Sequence, residues 1–496
     1  MGARLENVID ERLRDAPDAR CFWWEGVWYS REDFRNLTES CRQALLDSGF
    51  TPGQRLCVLM QNSPMIPALS LAVWQLGGSF CPLNVKSGMA SLAGTLELLE
   101  PFAVVVSEAV RDEAKAILQE GAFAIVTCPP MGPLPRFKGS RSSYESPDIA
   151  VIFATSGTTG TPKAVPLSHD NIYSNCLGIR EIIRPIEPGD VFLNVLPNFH
   201  SFGYTICIVL PLIMDAMLAI VPGFFPPQAA MRAILEAEVN VLFGVPAIFS
   251  YLLGAVERGA IPRETIGDMK ILMSGGDRMA PELHDSARKI FGKDIMEGYG
   301  LTEASPAVAI SRSYEEYRQG TAGPFLEGYE WQLRTESRER TEKNEGVLWI
   351  KSPSVAAGYF RAPELTAERF HDGWFDTGDY VRVLEDGYVE VLGRVTDIII
   401  VGGFNVHPQE VEQVLHTHPA IDTAIVVGIP HRVNGEVPMA FVKKTSDADI
   451  TELEIIKYCK EQLAHYKVPR KIEFLDEFPI SSTGKILRRV LCERAS

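Results

Sequence analysis

The sequence lacks a surplus of basic residues: 48 Lys and Arg against 64 Asp and Glu give a formal net charge of −16. A protein that binds nucleic acid needs a basic surface to neutralise the phosphates, so nucleic acid is not an expected partner. The nine cysteines are scattered and show no C-x-x-C spacing. This pattern predicts reduced thiols in a cytoplasmic protein rather than a disulfide framework.

The chain also lacks an unbroken apolar run of the length that crosses a membrane. The closest approach is the segment 203–225, but Pro211, Asp215 and Pro222 divide it into pieces of helix and strand length. We expect this segment to be buried core and the protein not to be transmembrane. The first 17 residues have no apolar stretch typical of a secretory signal and predict a charged amphipathic helix.

What the sequence does contain is an alternation of short β-branched runs with amphipathic stretches, which predicts an α/β fold with parallel sheets covered by helices. The predicted strands of this part are 56–60, 103–106, 191–195, 239–243 and 270–273. Past residue 320 the pattern changes to hairpin strands, and a new β and α rhythm begins near Ile398. A chain of 496 residues is too long for one core. We therefore predict two domains, residues 1–394 and 395–496.

The segment from Phe153 to Val165, FATSGTTGTPKAV, carries the strongest functional signal. Glycine amides, hydroxyls and the cation of Lys163 follow an apolar strand, an arrangement that can cradle a polyphosphate. A surface turn rich in Ser, Thr and Gly is the alternative. The spacing is not that of the P-loop, because Thr161 and Pro162 separate Gly160 from Lys163. An NTPase of that class is therefore not expected.

Two further glycine-rich segments follow predicted strands: SGGD (Ser274–Asp277) and EGYGLTE (Glu297–Glu303). In open α/β sheets, ligands bind at the carboxyl ends of the strands. Glu303, beside the hydroxyl of Thr302, is a candidate ligand for Mg²⁺, which prefers carboxylate oxygens. A charge near the start of a helix is the alternative interpretation of Glu303.

Together with TSGTTGTPK, these segments and four others occur in an order that resembles the adenylate-forming enzymes, the superfamily of acyl-CoA synthetases, nonribosomal peptide adenylation domains and luciferases. The other four are NFHSFG (Asn198–Gly203), WFDTGD (Trp374–Asp379), GRVTD (Gly393–Asp397) and ISSTGK (Ile480–Lys485). The resemblance spans essentially the whole chain. It implies a large N-terminal domain of parallel sheets with a β-barrel-like part, and a small mobile α+β domain at the C-terminal end.

The resemblance also implies roles for individual positions. The loop from Thr155 to Lys163 would hold the β- and γ-phosphates of ATP, and Thr302 the α-phosphate. Asp379, helped by Arg394, would bind the ribose, and Lys485 would reach the substrate carboxylate and the α-phosphate. The positions with an implied nucleotide contact are Thr155, Ser156, Gly157, Thr158, Thr159, Gly160, Lys163, Gly275, Gly276, Asp277, Glu297, Gly298, Tyr299, Gly300, Thr302, Asp379, Arg394 and Lys485.

The catalytic set implied in this way is Lys485, Thr302, Glu303 and His200, with His200 lining the acyl site and Glu303 holding Mg²⁺. Glycines 275–276 and the segment Glu297–Tyr299 would form the adenine pocket. Asp277 stands where many relatives have alanine, which leaves its adenine contact open. The small domain would turn about Asp397, and Gly402 and Gly403 would line the thiol tunnel.

The implied activity is an acid–thiol ligation in which ATP adenylates a carboxylic acid and the acyl group then passes to the thiol of CoA. Apolar residues beside Gly203, Gly244, Gly275 and Gly300 favour a medium- or long-chain fatty acid, on the argument that these glycines leave volume. Alternatives are a fatty acyl-AMP ligase or an acyl–acyl carrier protein synthetase that loads phosphopantetheine, and a non-catalytic nucleotide- or acyl-binding protein. We expect a monomer or homodimer. The basic stretch after Leu463 suits CoA, a carrier protein or plain solvation.

Overall fold

The computed structural model describes residues 3–108, 123–140, 146, 148–156, 162–183, 186–335, 337–402, 404–432, 434–446, 448–480 and 486–495. For Met89, Thr155, Ser156, Pro162 and Asn405 it describes the backbone alone. Among the described residues, no helix is both long enough and apolar enough to cross a bilayer.

The strands alternate with helices in the first two-thirds of the chain and follow one another more closely afterwards. Up to residue 310 they are β1 (Arg20–Trp24), β2 (Val27–Ser30), β3 (Arg55–Leu59), β4 (Ser79–Pro82), β5 (Ala103–Ser107), β6 (Ala124–Cys128), β7 (Ile149–Ser156), β8 (Pro162–Ser168), β9 (Val191–Asn194), β10 (Met217–Ile220), β11 (Val241–Gly244), β12 (Ile271–Ser274), β13 (Met296–Gly300) and β14 (Ala307–Ile310). Beyond it they are β15 (Glu330–Arg334), β16 (Glu345–Lys351), β17 (Phe370–His371), β18 (Trp374–Val383), β19 (Val389–Arg394), β20 (Ile399–Val401), β21 (Phe404–Val406), β22 (Ile421–His431), β23 (Gly435–Lys444) and β24 (Lys471–Phe474).

Several helices begin at side chains that cap them, as their sequences dictate. Ser30, Ser168 and Thr451 each accept a backbone N–H three residues on, in reciprocal capping boxes. The α-helices are α1 (Leu5–Arg14), α2 (Arg31–Asp47), α3 (Met65–Gln75), α4 (Met89–Leu99), α5 (His169–Ile182), α6 (Leu210–Met214), α7 (Gln228–Glu236), α8 (Pro246–Glu257), α9 (Arg263–Gly267), α10 (Pro281–Ile290), α11 (Pro363–Arg369), α12 (Pro408–His416), α13 (Glu452–Gln462) and α14 (Arg488–Ala495).

Two large sheets form the centre of the N-terminal part. One has eight strands in the order β14-β13-β12-β11-β9-β10-β1-β2, and the other has six in the order β6-β5-β3-β4-β7-β8. Most of their pairings are parallel, with antiparallel pairs at β1-β2, β7-β8 and β13-β14. Buried apolar strands such as β5 need helices on both faces. The predicted α/β class is confirmed.

The later strands form two smaller sheets. Strands β15 to β19 make an antiparallel sheet of five, and β20 to β24 make a second sheet of five in which only β24 pairs in parallel. The second sheet has its own buried cluster, which includes Val411, Val426 and Ile455. The antiparallel part and the small C-terminal domain are therefore confirmed. The division at residue 394 stays a prediction, and the 3₁₀ turn Val395–Asp397 lies there between β19 and β20.

Most of the segment 203–225 is buried core, as predicted, although Pro222 and Phe225 at its end are exposed, and its first piece is not an ordinary helix. Residues Phe202–Val209 form a π-helix that continues into α6 and then β10. π-Helical turns are rare and frequently occur at functional sites. Here the π-helix begins within the NFHSFG segment, next to the carboxyl ends of the strands.

His169 joins the N-terminal helix to the core as a buried neutral base. Its Nδ1 accepts the backbone N–H of Leu5 at 3.3 Å, and the residue is 3% exposed. An imidazole nitrogen that accepts a hydrogen bond carries no proton, so the ring is neutral although Glu6 lies nearby. Burial, together with the charge of Arg4, lowers the pKa of His169 to about 3.

We predict that the substitution His169→Gln makes stability less dependent on pH. Because the folded pKa lies below the unfolded value of about 6.5, the unfolded state binds the proton first, and stability is lost as the pH falls from 6.5 towards 3. Between pH 7 and pH 5 the wild type should lose about 2 kcal/mol more than the variant in urea unfolding. Equal losses in the two proteins would show that His169 is not the responsible group.

Candidate active site

The glycine-rich segments of the sequence meet at one edge of the eight-stranded sheet. Strands β11, β12 and β13 run in parallel, with Ser274 paired to Gly244 on one side and to Glu297 on the other. Their carboxyl ends therefore bring SGGD and EGYG side by side. Gly276 has a φ of +83°, a conformation that glycine adopts without strain.

The hairpin of β7 and β8 carries the predicted phosphate loop. Thr155 pairs with Lys163 and Ser156 with Pro162, so the two strands frame the tip of the hairpin. Gly157, Thr158, Thr159 and Gly160 lie outside the described residues, as does Lys485. The ammonium group of Lys163 lies 5.9 Å from the ring centre of Tyr359, within range of a cation–π interaction.

Thr302 and Glu303 lie in a 3₁₀ turn, Thr302–Ala304, which begins two residues after the end of β13. The hydroxyl of Thr302 lies 3.2 Å from that of Ser201, which joins this turn to the NFHSFG segment. Tyr359 donates its hydroxyl proton to Oε1 of Glu303 at 2.8 Å. Thus two segments that are distant in the sequence converge on Thr302 and Glu303.

Buried Asn175 of α5 is hydrogen-bonded to the same turn and to the strand that follows it. Its Nδ2 donates to the carbonyl oxygens of Ala304 and Ala307, and its Oδ1 accepts the N–H of Ala307. These bonds satisfy backbone groups that a non-helical buried turn leaves open. Neither Asn175 nor Tyr359 was singled out by the sequence, because no local pattern reveals which distant segment a polar side chain will meet.

Asp379 is the second carboxylate of the site, and it is 4% exposed. Tyr299 donates to its Oδ2 at 2.5 Å, while Nε of Arg394, opposite it on β19, lies 3.2 Å from its Oδ1. Burial, and then the charge of Asp379, raise the pKa of Tyr299 well above its ordinary value. The phenol therefore stays protonated and donates. Tyr299, a predicted adenine residue, is thus hydrogen-bonded to Asp379, the predicted ribose residue.

The carboxylate of Glu297 contacts neighbouring loops rather than the glycine-rich segments. Its Oε1 accepts from the hydroxyl of Tyr317 and the N–H of Gly320, both at 3.3 Å, and lies 3.2 Å from Nε2 of His284. Its Oε2 accepts the N–H of Met279 at 3.4 Å. The carboxylate therefore ties β13 to neighbouring loops, and the backbone of Glu297 remains beside the glycines.

His200 and Asp277 lie at the same sheet edge. The N–H of Phe202 donates to Nδ1 of His200 at 3.3 Å, and His200 is half-buried. The carboxylate of Asp277 accepts the N–H of Arg278, which leaves its contact with a base untested. The ring of Phe202 covers Gly275, since an added Cβ there would lie 3.1 Å from it.

The expectation that four glycines leave volume for an acyl chain is wrong. A Cβ at Gly203 would lie 2.3 Å from the carbonyl oxygen of Pro197, and one at Gly300 would lie 2.3 Å from that of Pro306. At Gly244 and Gly275 the space is filled by the rings of Phe249 and Phe202. These glycines allow close packing, so their small size is not evidence of a cavity for an acyl chain.

On the C-terminal side, the described residues on either side of the segment 481–485 are joined to each other and to the rest of the small domain. Ile480 and Ile486 form an antiparallel bridge, and Arg488 makes an ion pair with both carboxylate oxygens of Glu412 of α12, at 2.6 and 3.2 Å. Nε of Arg488 also lies 3.8 Å from Asp397, the predicted hinge residue. Gly402 has a φ of +57°, and Gly403 lies outside the described residues.

Two family models match the chain. The AMP-binding enzyme model matches residues 9–360, and the model of the AMP-binding enzyme C-terminal domain matches residues 410–485. The chain belongs to the AMP-binding enzyme family. The resemblance inferred from the ordered motifs is therefore confirmed, and the protein is an enzyme of that family.

The relatives of this AMP-binding enzyme differ in the acids that their names print. It is 30% identical to a feruloyl-CoA synthase of Amycolatopsis sp over 96% of each chain. It is 32% identical to a long-chain-fatty-acid–CoA ligase of Yersinia pestis, in an alignment that covers 71% of this chain and 64% of that protein. The crystal structure of ATP-bound MatB from Rhodopseudomonas palustris has a TM-score of 0.89 at 29% identity, covering 100% of this chain and 99% of that one.

We predict that Tyr299→Phe destabilises the fold more than a matched tyrosine substitution elsewhere. Removing the phenol takes a donor from a buried carboxylate, which costs about 1.5–3 kcal/mol. Tyr388→Phe is the control, because its hydroxyl donates to the neutral carbonyl of Glu316 at 2.8 Å and should cost about 0.5–1.5 kcal/mol. Denaturant unfolding of both variants measures the difference, and a smaller loss for Tyr299→Phe would contradict the assignment.

Proposed function

We propose that this enzyme is an ATP-dependent acid–thiol ligase that adenylates a carboxylic acid, releases pyrophosphate and transfers the acyl group to CoA. The observation that carries the proposal is the convergence of Lys163, Thr302, Glu303 and Asp379 around one sheet edge in an AMP-binding enzyme. The printed names of the relatives, which are CoA ligases, support CoA as the acceptor.

The nucleoside of ATP is proposed to lie between SGGD and EGYG. Backbone groups of the glycines and of Glu297 would border the adenine, and the ring of Tyr299 would pack on it. Asp379 would accept hydrogen bonds from the ribose hydroxyls, with Arg394 and Tyr299 holding the carboxylate in place. The proposed role of Asp379 depends on its carboxylate, because the two oxygens of one short, buried side chain can accept from two adjacent hydroxyls.

The triphosphate is proposed to run from Thr302 towards the hairpin of β7 and β8, with Lys163 near its far end. Glu303 suits the role of a magnesium ligand, because Tyr359 donates to its Oε1 and the described residues offer no hydrogen-bond donor to its Oε2. The described residues contain no cluster of three metal-binding side chains. One carboxylate, with phosphates and water, is a usual set for Mg²⁺. When bound, the ion would neutralise phosphate charge.

The chemistry requires two anions to approach each other. A carboxylate oxygen attacks the α-phosphorus, the bond to the bridging oxygen breaks, and pyrophosphate leaves; the thiol sulfur then attacks the acyl carbon, and AMP leaves with the carboxylate oxygen. Positioning and charge neutralisation supply most of such a rate enhancement. Lys485 is proposed to bridge the substrate carboxylate and the α-phosphate, with Thr302 as a further donor.

The acid is proposed to be a medium- or long-chain fatty acid. The support is the apolar π-helix beside His200, with Tyr204, Ile206 and Val209 buried in it, and the likeness to a long-chain-fatty-acid–CoA ligase. The packed glycines add nothing to this argument. The basic C-terminal stretch does not favour a carrier protein, because Lys467, Arg488 and Arg494 form ion pairs within the domain.

We predict acid-dependent exchange of labelled pyrophosphate into ATP, strongest with medium- or long-chain fatty acids in a panel that includes aromatic acids and amino acids. Lys485→Ala should lower the exchange rate by about 10²–10³-fold, as loss of a group that stabilises transition-state charge does. Exposed Lys471 provides the control variant Lys471→Ala, which should leave the rate unchanged.

Two results would refute the mechanism: no exchange with any acid, or full exchange by Lys485→Ala. A second assay with the same preparations tests the acceptor. Thioester should form with CoA, and formation only with a phosphopantetheinylated carrier protein would contradict the assignment of CoA while leaving the adenylation step intact.

A further inference from the structure

Tyr359 lies between the two ends of the proposed phosphate site. It is 9% exposed, and its hydroxyl donates to Oε1 of Glu303 at 2.8 Å. The ammonium group of Lys163 lies over the face of the Tyr359 ring, 5.9 Å from the ring centre. An edge contact with Phe370, at 5.7 Å between ring centres, supports the ring from another side. One side chain therefore contacts both a carboxylate and a cation of the site.

The backbone around Tyr359 makes the same two connections. The N–H of Ala356 donates to the carbonyl oxygen of Glu303 at 2.8 Å, and the N–H of Phe360 donates to that of Ala164, also at 2.8 Å. The N–H of Tyr359 itself donates to the hydroxyl of Thr366. The segment Ala356–Phe360 thus links the turn of Glu303 to the strand that leaves the phosphate hairpin, and the position of Tyr359 is fixed by backbone bonds.

A glutamate side chain rotates freely unless one of its oxygens is held. Holding Oε1 limits Oε2 to few orientations, so less conformational entropy is lost when a cation binds. Outer partners of this kind orient metal ligands and typically change metal affinity by about 10–100-fold when they are removed. Within the described residues, the bond from Tyr359 is the one that holds the carboxylate of Glu303.

We propose that Tyr359 is a positioning residue that directs Glu303 towards the Mg²⁺ accompanying ATP and keeps Lys163 beside the same phosphates. This inference rests on the proposed function, since it takes Mg·ATP as the ligand of the site. It predicts two separable contributions from one side chain: the hydroxyl acts on the metal-dependent part of binding, and the ring acts on the part that depends on Lys163.

The test is the affinity for ATP, measured by titration calorimetry without any acid substrate, once with Mg²⁺ and once with EDTA. Tyr359→Phe should weaken binding of Mg·ATP by about tenfold or more and leave binding of ATP in EDTA within about twofold of the wild type. Tyr359→Leu, which also removes the ring, should weaken binding in both conditions. Tyr388→Phe, whose lost hydroxyl donates to the carbonyl oxygen of Glu316 and not to Glu303, should match the wild type in both.

Two outcomes would overturn the role of Tyr359: unchanged Mg·ATP affinity in Tyr359→Phe, or an equal loss with and without Mg²⁺. The second outcome would mean a general structural effect, which the melting temperature of the variant would also report. Failure of the wild type to bind ATP in either condition would contradict the proposed function itself. The two failures are therefore distinguishable.

Discussion

Buried tyrosine hydroxyls orient the carboxylates at the edge of the large sheet, and the arrangement of the site depends on this. Tyr299 holds Asp379, and Tyr359 holds Glu303. A carboxylate placed close to a triphosphate is repelled by it, so its position must be fixed if a cation is to bind between the two. A neutral phenol fixes the position without cancelling the charge, whereas a tight ion pair would remove the charge that a cation needs. The guanidinium of Arg394 partly compensates the charge of Asp379, and it also interacts electrostatically with Glu303.

The fold supplies these partners from distant parts of the chain. Tyr299 comes from the end of a sheet strand, Asp379 from the antiparallel sheet, and Tyr359 from the connection that precedes α11. Asn175 of α5 bonds to Ala304 and Ala307, next to Glu303. Because each of these side chains comes from a different sheet, helix or connection, the geometry of the site depends on how those elements pack against one another.

Sequence patterns predicted the α/β class, the strands and the ordered motifs, because each of these is written in local periodicity or in short spacings. They did not predict Tyr359, which meets Glu303 across 56 residues, nor the π-helix at Phe202. They also gave the wrong meaning to Gly203 and Gly300. A glycine is small both where volume is needed and where a carbonyl oxygen approaches, and only the packing distinguishes the two cases. The roles of Thr158 and Lys485 stay predictions.

The central claim is that a carboxylate attacks the α-phosphorus of ATP in this site. The most direct test uses a fatty acid labelled with ¹⁸O in both carboxylate oxygens, incubated with ATP, Mg²⁺ and CoA, followed by mass spectrometry of the products. The account predicts one ¹⁸O atom in AMP, since the thiol displaces AMP together with the attacking oxygen. Label in inorganic phosphate, with ADP as the nucleotide product, would contradict it, because the carboxylate would then have attacked the γ-phosphorus.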